Sequence, residues 1–317
     1  MVLIDKRTTS VYVATFMSAV LYAVGFTSFL LVLPLLFYYS RSKERVKTLW
    51  ALASLLIFVL AIELFPLIGE LSDKGNLGIL SIGLFLPIGL IGSSMIWVLS
   101  DGYRLLIRYI ASSAVVACLM AILGFWFKSD TEMALAVDDA IVNAMYIVLG
   151  QESQQTSLML GVSPQELFST LRTVVFSMLL PLGAGCFGFN VFLSLSTPRY
   201  LGDEEFDERV KNWKLPESFM WMFLVSLVLL LLGVVVDYTL IVSIIVINLA
   251  LYFALLFAIQ ALSIVLYRRR AKGLHTKAAR VFGLTLFLII LFQGLNIVAV
   301  VGLPIFGVSE TWFTYRK

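Results

Sequence analysis

The side chains able to do chemistry in this chain are Glu63, Asn190, Asp237, Asn248, Gln260, Gln293 and Asn296, each standing inside or at the edge of a long apolar run. Polar groups at such positions are costly, with a charge at a helix centre disfavoured by roughly 2.5–3.5 kcal/mol on insertion scales, so they mark structure or function. Counting 1.5 Å of rise per residue, Asn248 and Asn296 fall in the outer half of the membrane and Glu63 and Asp237 near its outer boundary. Gln293 falls near the middle, while Gln260 and Asn190 lie deeper toward the cytoplasm. Two roles are open. Amides can hydrogen-bond between helices, at roughly 0.6–2 kcal/mol each, which suits Asn190 and Gln260. Carboxylates and amides can also line a pocket that orients a small solute, and Glu63, Asp237, Asn248, Gln293 and Asn296 are the candidate substrate-binding set.

Catalysis is not indicated. The sequence has no Gly-rich phosphate loop ending in Lys-Ser or Lys-Thr, no GxSxG elbow and no HExxH, and its one histidine, His275, sits in a basic loop. Adjacent Asp138 and Asp139 would point about 100° apart on a helix, which argues against a shared acid–base site. Cys118 and Cys186 lie in apolar runs and read as small hydrophobes. Neither a metal nor a cofactor is implied.

The elements that must position these residues are membrane helices. Hydrophobic residues make up 60% of the 317 and charged residues 14%, against roughly 45–50% and about 25% in soluble domains. A net charge of +3, confined to loops, excludes a nucleic-acid surface. The clearest architectural stretch is 240–317, where FAIQALSIV at 257–265 and ILFQGLNIV at 290–298 set Gln260 and Gln293 in matching frames. Each flank of the intervening loop has about 27 uncharged residues, and roughly 20 suffice to cross the hydrocarbon core. The loop carries Arg268, Arg269, Arg270, Lys272, Lys277 and Arg280 without an acid, which places 268–280 in the cytoplasm.

The apolar run 11–39 is too long for an N-terminal signal and reads as a retained anchor. Gly25 and Pro34 divide it into a full helix to about Gly25 and a shorter re-entrant or kinked piece through LLVLPLLFYY. Arg41, Lys43, Arg45 and Lys47 against Glu44 make the next loop cytoplasmic. Crossings follow at 48–66, 78–98 and 105–127. The acid-rich outer segment 128–170 contains an amphipathic pattern in 131–149, with Glu132, Asp139 and Asn143 opposed to Leu135, Ile141, Met145 and Leu149. Ser163-Pro-Gln-Glu166 has the form of a capping box opening the next helix, which bends at Pro181 and ends at Thr197. Residues 218–236 go out, Asp237 and Tyr238 turn, 240–267 return, and the last helix exits to leave GVSETWFTYRK outside. The expected fold is all-α: a polytopic transmembrane helix bundle of about 7–8 crossing helices plus the outer amphipathic helix. It forms one integral membrane domain over 1–317, with parts at 1–127, 128–170 and 171–317.

Three stretches, LLPLGAGCFGFNVFLSLSTPRYL at 179–201, KNWKLPESFMW at 211–221 and FAIQALSIV at 257–265 closed by the terminal GVSETWFTYRK, resemble the YybS-like bacterial integral membrane proteins. That family is distantly similar to the substrate-binding S components of energy-coupling-factor vitamin transporters and to a rod-shape scaffold membrane protein. The resemblance implies a multi-pass protein of the bacterial cytoplasmic membrane that captures a small solute for uptake. An ATPase and coupling module would be supplied in trans, and the lipid bilayer is the other partner. The alternative is a membrane scaffold or assembly protein of the cell envelope, with its amides serving only between helices.

Overall fold

The computed structural model describes residues 10–65, 74–129, 132, 134–139, 164–196, 213–236, 238–271, 295–313 and 315. Among them the regular elements are helices: α1 (Val11–Ala23), α2 (Leu33–Ser42), α3 (Arg45–Leu64), α4 (Lys74–Leu99), α5 (Leu105–Ser129), α6 (Pro164–Ser196), α7 (Glu217–Val235), α8 (Leu240–Ala271) and α9 (Leu295–Ser309). Six of the described helices, α3 to α8, are long and apolar enough to cross a membrane, and α1 is a shorter apolar helix. The chain is therefore an all-α polytopic membrane protein. Hydrocarbon offers no partner for a bare N–H or C=O, so a spanning segment must satisfy its backbone internally, and an uncharged run of this length becomes a helix.

Much of the outer segment 128–170, the cap residue Ser163, Asp237, Gln293 and most of the basic loop lie outside the described residues. Within the expected amphipathic stretch, residues 134–139 are helical, with Val137 buried and Leu135 exposed. Pro181 lies inside α6, which continues through it as one helix.

Contacts divide the chain into two compact units, Met1–Leu99 with Ala111–Phe187, and Ser100–Ile110 with Gly188–Lys317. In the first unit the run 11–39 breaks where the sequence suggests. After α1, Gly25 takes φ +71°, a left-handed conformation available at little cost to a residue without Cβ. The Thr27 hydroxyl caps the Leu21 carbonyl at 2.7 Å. Pro34 then sits in the first turn of α2, where its missing N–H leaves no bond unmade. The α1–α2 hairpin packs on α3. α1 buries Ala14, Ser18 and Tyr22 at four-residue steps, and α3 buries Thr48, Ala51, Leu52, Leu55 and Val59. Farther along, the Ser93 hydroxyl donates to the Ser112 carbonyl at 2.8 Å, and Trp97 stands edge-on to Phe187 with ring centroids 5.9 Å apart.

In the second unit, α7 and α8 run antiparallel through a four-residue connection. Phe219 faces Phe253 and Phe223 faces Phe257, with ring centroids at 6.0 and 5.4 Å. The α8–α9 pair departs from expectation. Gly307 lies against Phe257, Gln260 bonds the Gly307 carbonyl, and Arg268 bonds the Tyr315 carbonyl. Tyr315, in the tail expected on the outer side, stands instead beside Arg268, toward the end of α8 that carries the basic run. The expectation rested on alternation of crossings, which takes no account of a side-chain contact such as that between Arg268 and Tyr315.

Candidate functional site

In the first unit a groove of about 1050 Å³ lies between α1, α2 and α3. Its walls follow from helical periodicity. Glu44, Lys47, Trp50, Ser54 and Phe58 fall along one face of α3, and Tyr12, Thr15, Phe16 and Ala19 along the facing side of α1. The early residues of both helices line the same groove, and Tyr22 meets Glu63 at their far ends. α1 and α3 are therefore parallel, and the start of α1 lies on the side of the basic Arg41–Lys47 turn.

One end of the groove is polar. The Tyr38 hydroxyl donates to Glu44, and Lys47 pairs with the same carboxylate at 3.0 Å. The Tyr38 hydroxyl, and after it the Lys47 ammonium, hold the Glu44 carboxyl below the usual carboxylate range. The Glu44 N–H donates to the Ser42 hydroxyl at 3.3 Å. Deeper in, Thr15 and Ser54 donate to the carbonyls of their own helices, at Val11 and Ala51. Ser10 joins the polar end, the lining from Phe16 and Ala19 to Leu55 and Phe58 is largely apolar, and Tyr12, Phe16 and Trp50 are strongly exposed at 81%, 67% and 73%, so the groove opens sideways. Sequence reasoning took Glu44 and Lys47 only as loop residues, and Tyr38 only as part of the re-entrant or kinked piece LLVLPLLFYY. The available signal was the step of three to four residues linking Glu44 through Lys47, Trp50 and Ser54 to Phe58.

The residues singled out from the sequence are placed as follows. Glu63, near the end of α3, accepts a hydrogen bond from Tyr22, at the far end of the helix pair that forms the groove. Asn248 is buried in α8, and its amide donates to the Ile244 carbonyl of the same helix at 2.9 Å. Asn296 lies in the first turn of α9, its side chain outside the described residues. Asp237 and Gln293 lie outside the described residues altogether. Asn190 is fully buried in α6.

Gln260 joins three parts of the second unit. Its carbonyl oxygen accepts from the Leu215 N–H at 2.8 Å, and its amide donates to the Gly307 carbonyl at 3.0 Å. It thereby satisfies the backbone just before α7 and the backbone of α9 at once. α9 comes so close there that a Cβ on Gly307 would collide with the Phe257 carbonyl oxygen. In the same unit, Arg108 folds back from the first turn of α5 to pair with Asp101 at 2.9 Å. Tyr109 beside it packs edge-on against Trp213, with centroids 5.6 Å apart.

An all-α chain with six lipid-length helices among the described residues, and polar groups tied between or within them, defines a polytopic integral membrane protein. The family model described as "Predicted membrane protein (DUF2232)" matches residues 10–304, and the chain belongs to this family. A search of curated proteins and a search of solved structures each gave no match.

Proposed function

We propose that this chain is a membrane-embedded binding subunit for a small solute, comparable in role to a transporter S component, with its energy supplied by an ATPase in trans. The observation that supports this reading is the α1–α3 groove. Its volume of about 1050 Å³ is in the range of ligand sites, and it combines apolar walls with a few converging polar groups, the composition expected of such sites. The reliance on a partner is suggested by the sequence, which carries no nucleotide-binding loop of its own.

The test is thermal unfolding of the purified protein with biotin, thiamine, riboflavin and phosphatidylglycerol as probes. A ligand that binds only the folded state raises its stability by RT ln(1 + [L]/Kd). At least one probe should raise the melting temperature of the parent protein, and Ser54→Trp, which fills the groove from an exposed position, should abolish that shift. No shift with any probe, or a shift that Ser54→Trp leaves intact, favours the envelope scaffold.

A further inference from the structure

We infer that the α1–α3 groove seats one anionic phospholipid from the leaflet on the side of the Arg41–Lys47 turn, an inference that rests on the binding reading above and names its ligand class. The lining is sorted along its length in the order of a lipid. Ser10, Tyr38, Ser42, Glu44 and Lys47 gather at one end, and Phe16, Leu55 and Phe58 lie farther along.

Length agrees with this order. From Glu44 to Phe58 the groove follows α3 for about 21 Å at 1.5 Å per residue. Half of a bilayer of roughly 40–45 Å, head groups included, is the same depth. The charged mouth thus falls at the head-group level when Phe58 reaches the middle of the bilayer.

Hydrogen bonding points the same way. A water-soluble solute held deep in the groove needs donors and acceptors there, yet the Thr15 and Ser54 hydroxyls donate to Val11 and Ala51 of their own helices. An acyl chain asks for none. The lateral opening beside Phe16 and Trp50 lets a chain enter from the bilayer without crossing water.

Charge selects the head group. Arg41, Lys43, Arg45 and Lys47 stand within seven residues of one another against the single acid Glu44. Basic pockets between membrane helices favour anionic head groups. Glu44 also explains why Lys47 stays oriented over the mouth, since the pair is held at 3.0 Å.

The experiment is native mass spectrometry of the full chain, released from micelles containing equal amounts of phosphatidylglycerol and phosphatidylcholine. One phosphatidylglycerol should stay bound under activation that removes phosphatidylcholine. Lys47→Gln should weaken that retention about fivefold, the effect of one cation near an anionic head group, and Ser54→Trp should reduce it to background. Leu231→Trp, on the exposed face of α7, should leave it unchanged. Equal retention of the two lipids, or retention indifferent to Ser54→Trp, overturns the lipid assignment. If biotin, thiamine or riboflavin stabilises the parent protein and Ser54→Trp removes that stabilisation, the binding-subunit reading stands while the lipid assignment falls. If neither lipid nor vitamin responds to Ser54→Trp, both fall.

Discussion

Gln260 shows how one amide can decide the packing around it. Both its ends are used on backbone groups that no helix of their own satisfies in the same way, the Leu215 N–H and a Gly307 carbonyl at the tightest point of the α8–α9 contact. Replacing it with Leu leaves the Leu215 N–H buried without this partner, at about 1–3 kcal/mol, and leaves the Gly307 carbonyl with only the Glu310 N–H of its two donors. Gln260→Leu should therefore lower the melting temperature in detergent, and an unchanged transition would remove its bridging role. The neighbouring glycine supplies an internal comparison. Gly307→Ala drives a methyl into the Phe257 carbonyl and should cost roughly 1–3 kcal/mol by overpacking. Gly302→Ala, with nothing within 4 Å of the added carbon, should be neutral or stabilise by up to about 1 kcal/mol, as expected for glycine replaced in a helix interior. Equal effects at 302 and 307 would mean that α9 does not approach α8 as described.

At the scale of elements, direction matters more than composition. α9 packs on α8, and Tyr315 beyond it is held at Arg268, whose guanidinium bonds the Tyr315 carbonyl and stacks on its ring at 4.8 Å. Tyr315 therefore shares the side of Arg268, which the excess of Lys and Arg in 268–280 would place toward the cytoplasm. In a background with Cys118 and Cys186 replaced by Ala, a cysteine at Phe313, exposed in the structure, should resist membrane-impermeant thiol reagents in intact cells. A cysteine at Gln151 should react. Reaction at 313 with protection at 151 would invert the assignment. The α1–α3 pair carries the same lesson, because its parallel course puts the start of α1 beside Glu44 and Lys47 and so makes the groove.

For the whole molecule, the bilayer acts as solvent. α7 is the clearest case, with only 11% of its apolar window buried within the protein and Val225, Val228 and Leu231 outward. In water such a surface would be a liability, and in hydrocarbon it is at rest. Val225→Lys, at the middle of α7, should reduce insertion by roughly 2.5–3.5 kcal/mol, seen as loss of the protein from the membrane fraction. In a water-soluble protein the same exposed substitution would be nearly neutral, so unchanged membrane yield would count against α7 as a lipid-facing crossing.

What the sequence alone determined is what depends on local information. Uncharged runs longer than a bilayer became helices, Gly25 and Pro34 set the break between α1 and α2, and the resemblance to a membrane family rested on the stretches 179–201, 211–221 and 257–265. Glu63, Asn248 and Gln260 were visible as polar residues in apolar settings, but their spacing could not say what each would touch. Only the tertiary structure decided that Gln260 reaches two distant backbones, that Asn248 bonds its own helix, that Glu63 meets Tyr22, and that Glu44 and Lys47 border a groove. The physical reason is that hydropathy and charge report how each segment meets its solvent, whereas partner, direction and register depend on which helix faces fit together. That fit turns on single contacts, such as the missing side chain at Gly307, which carry no periodic signal along the chain.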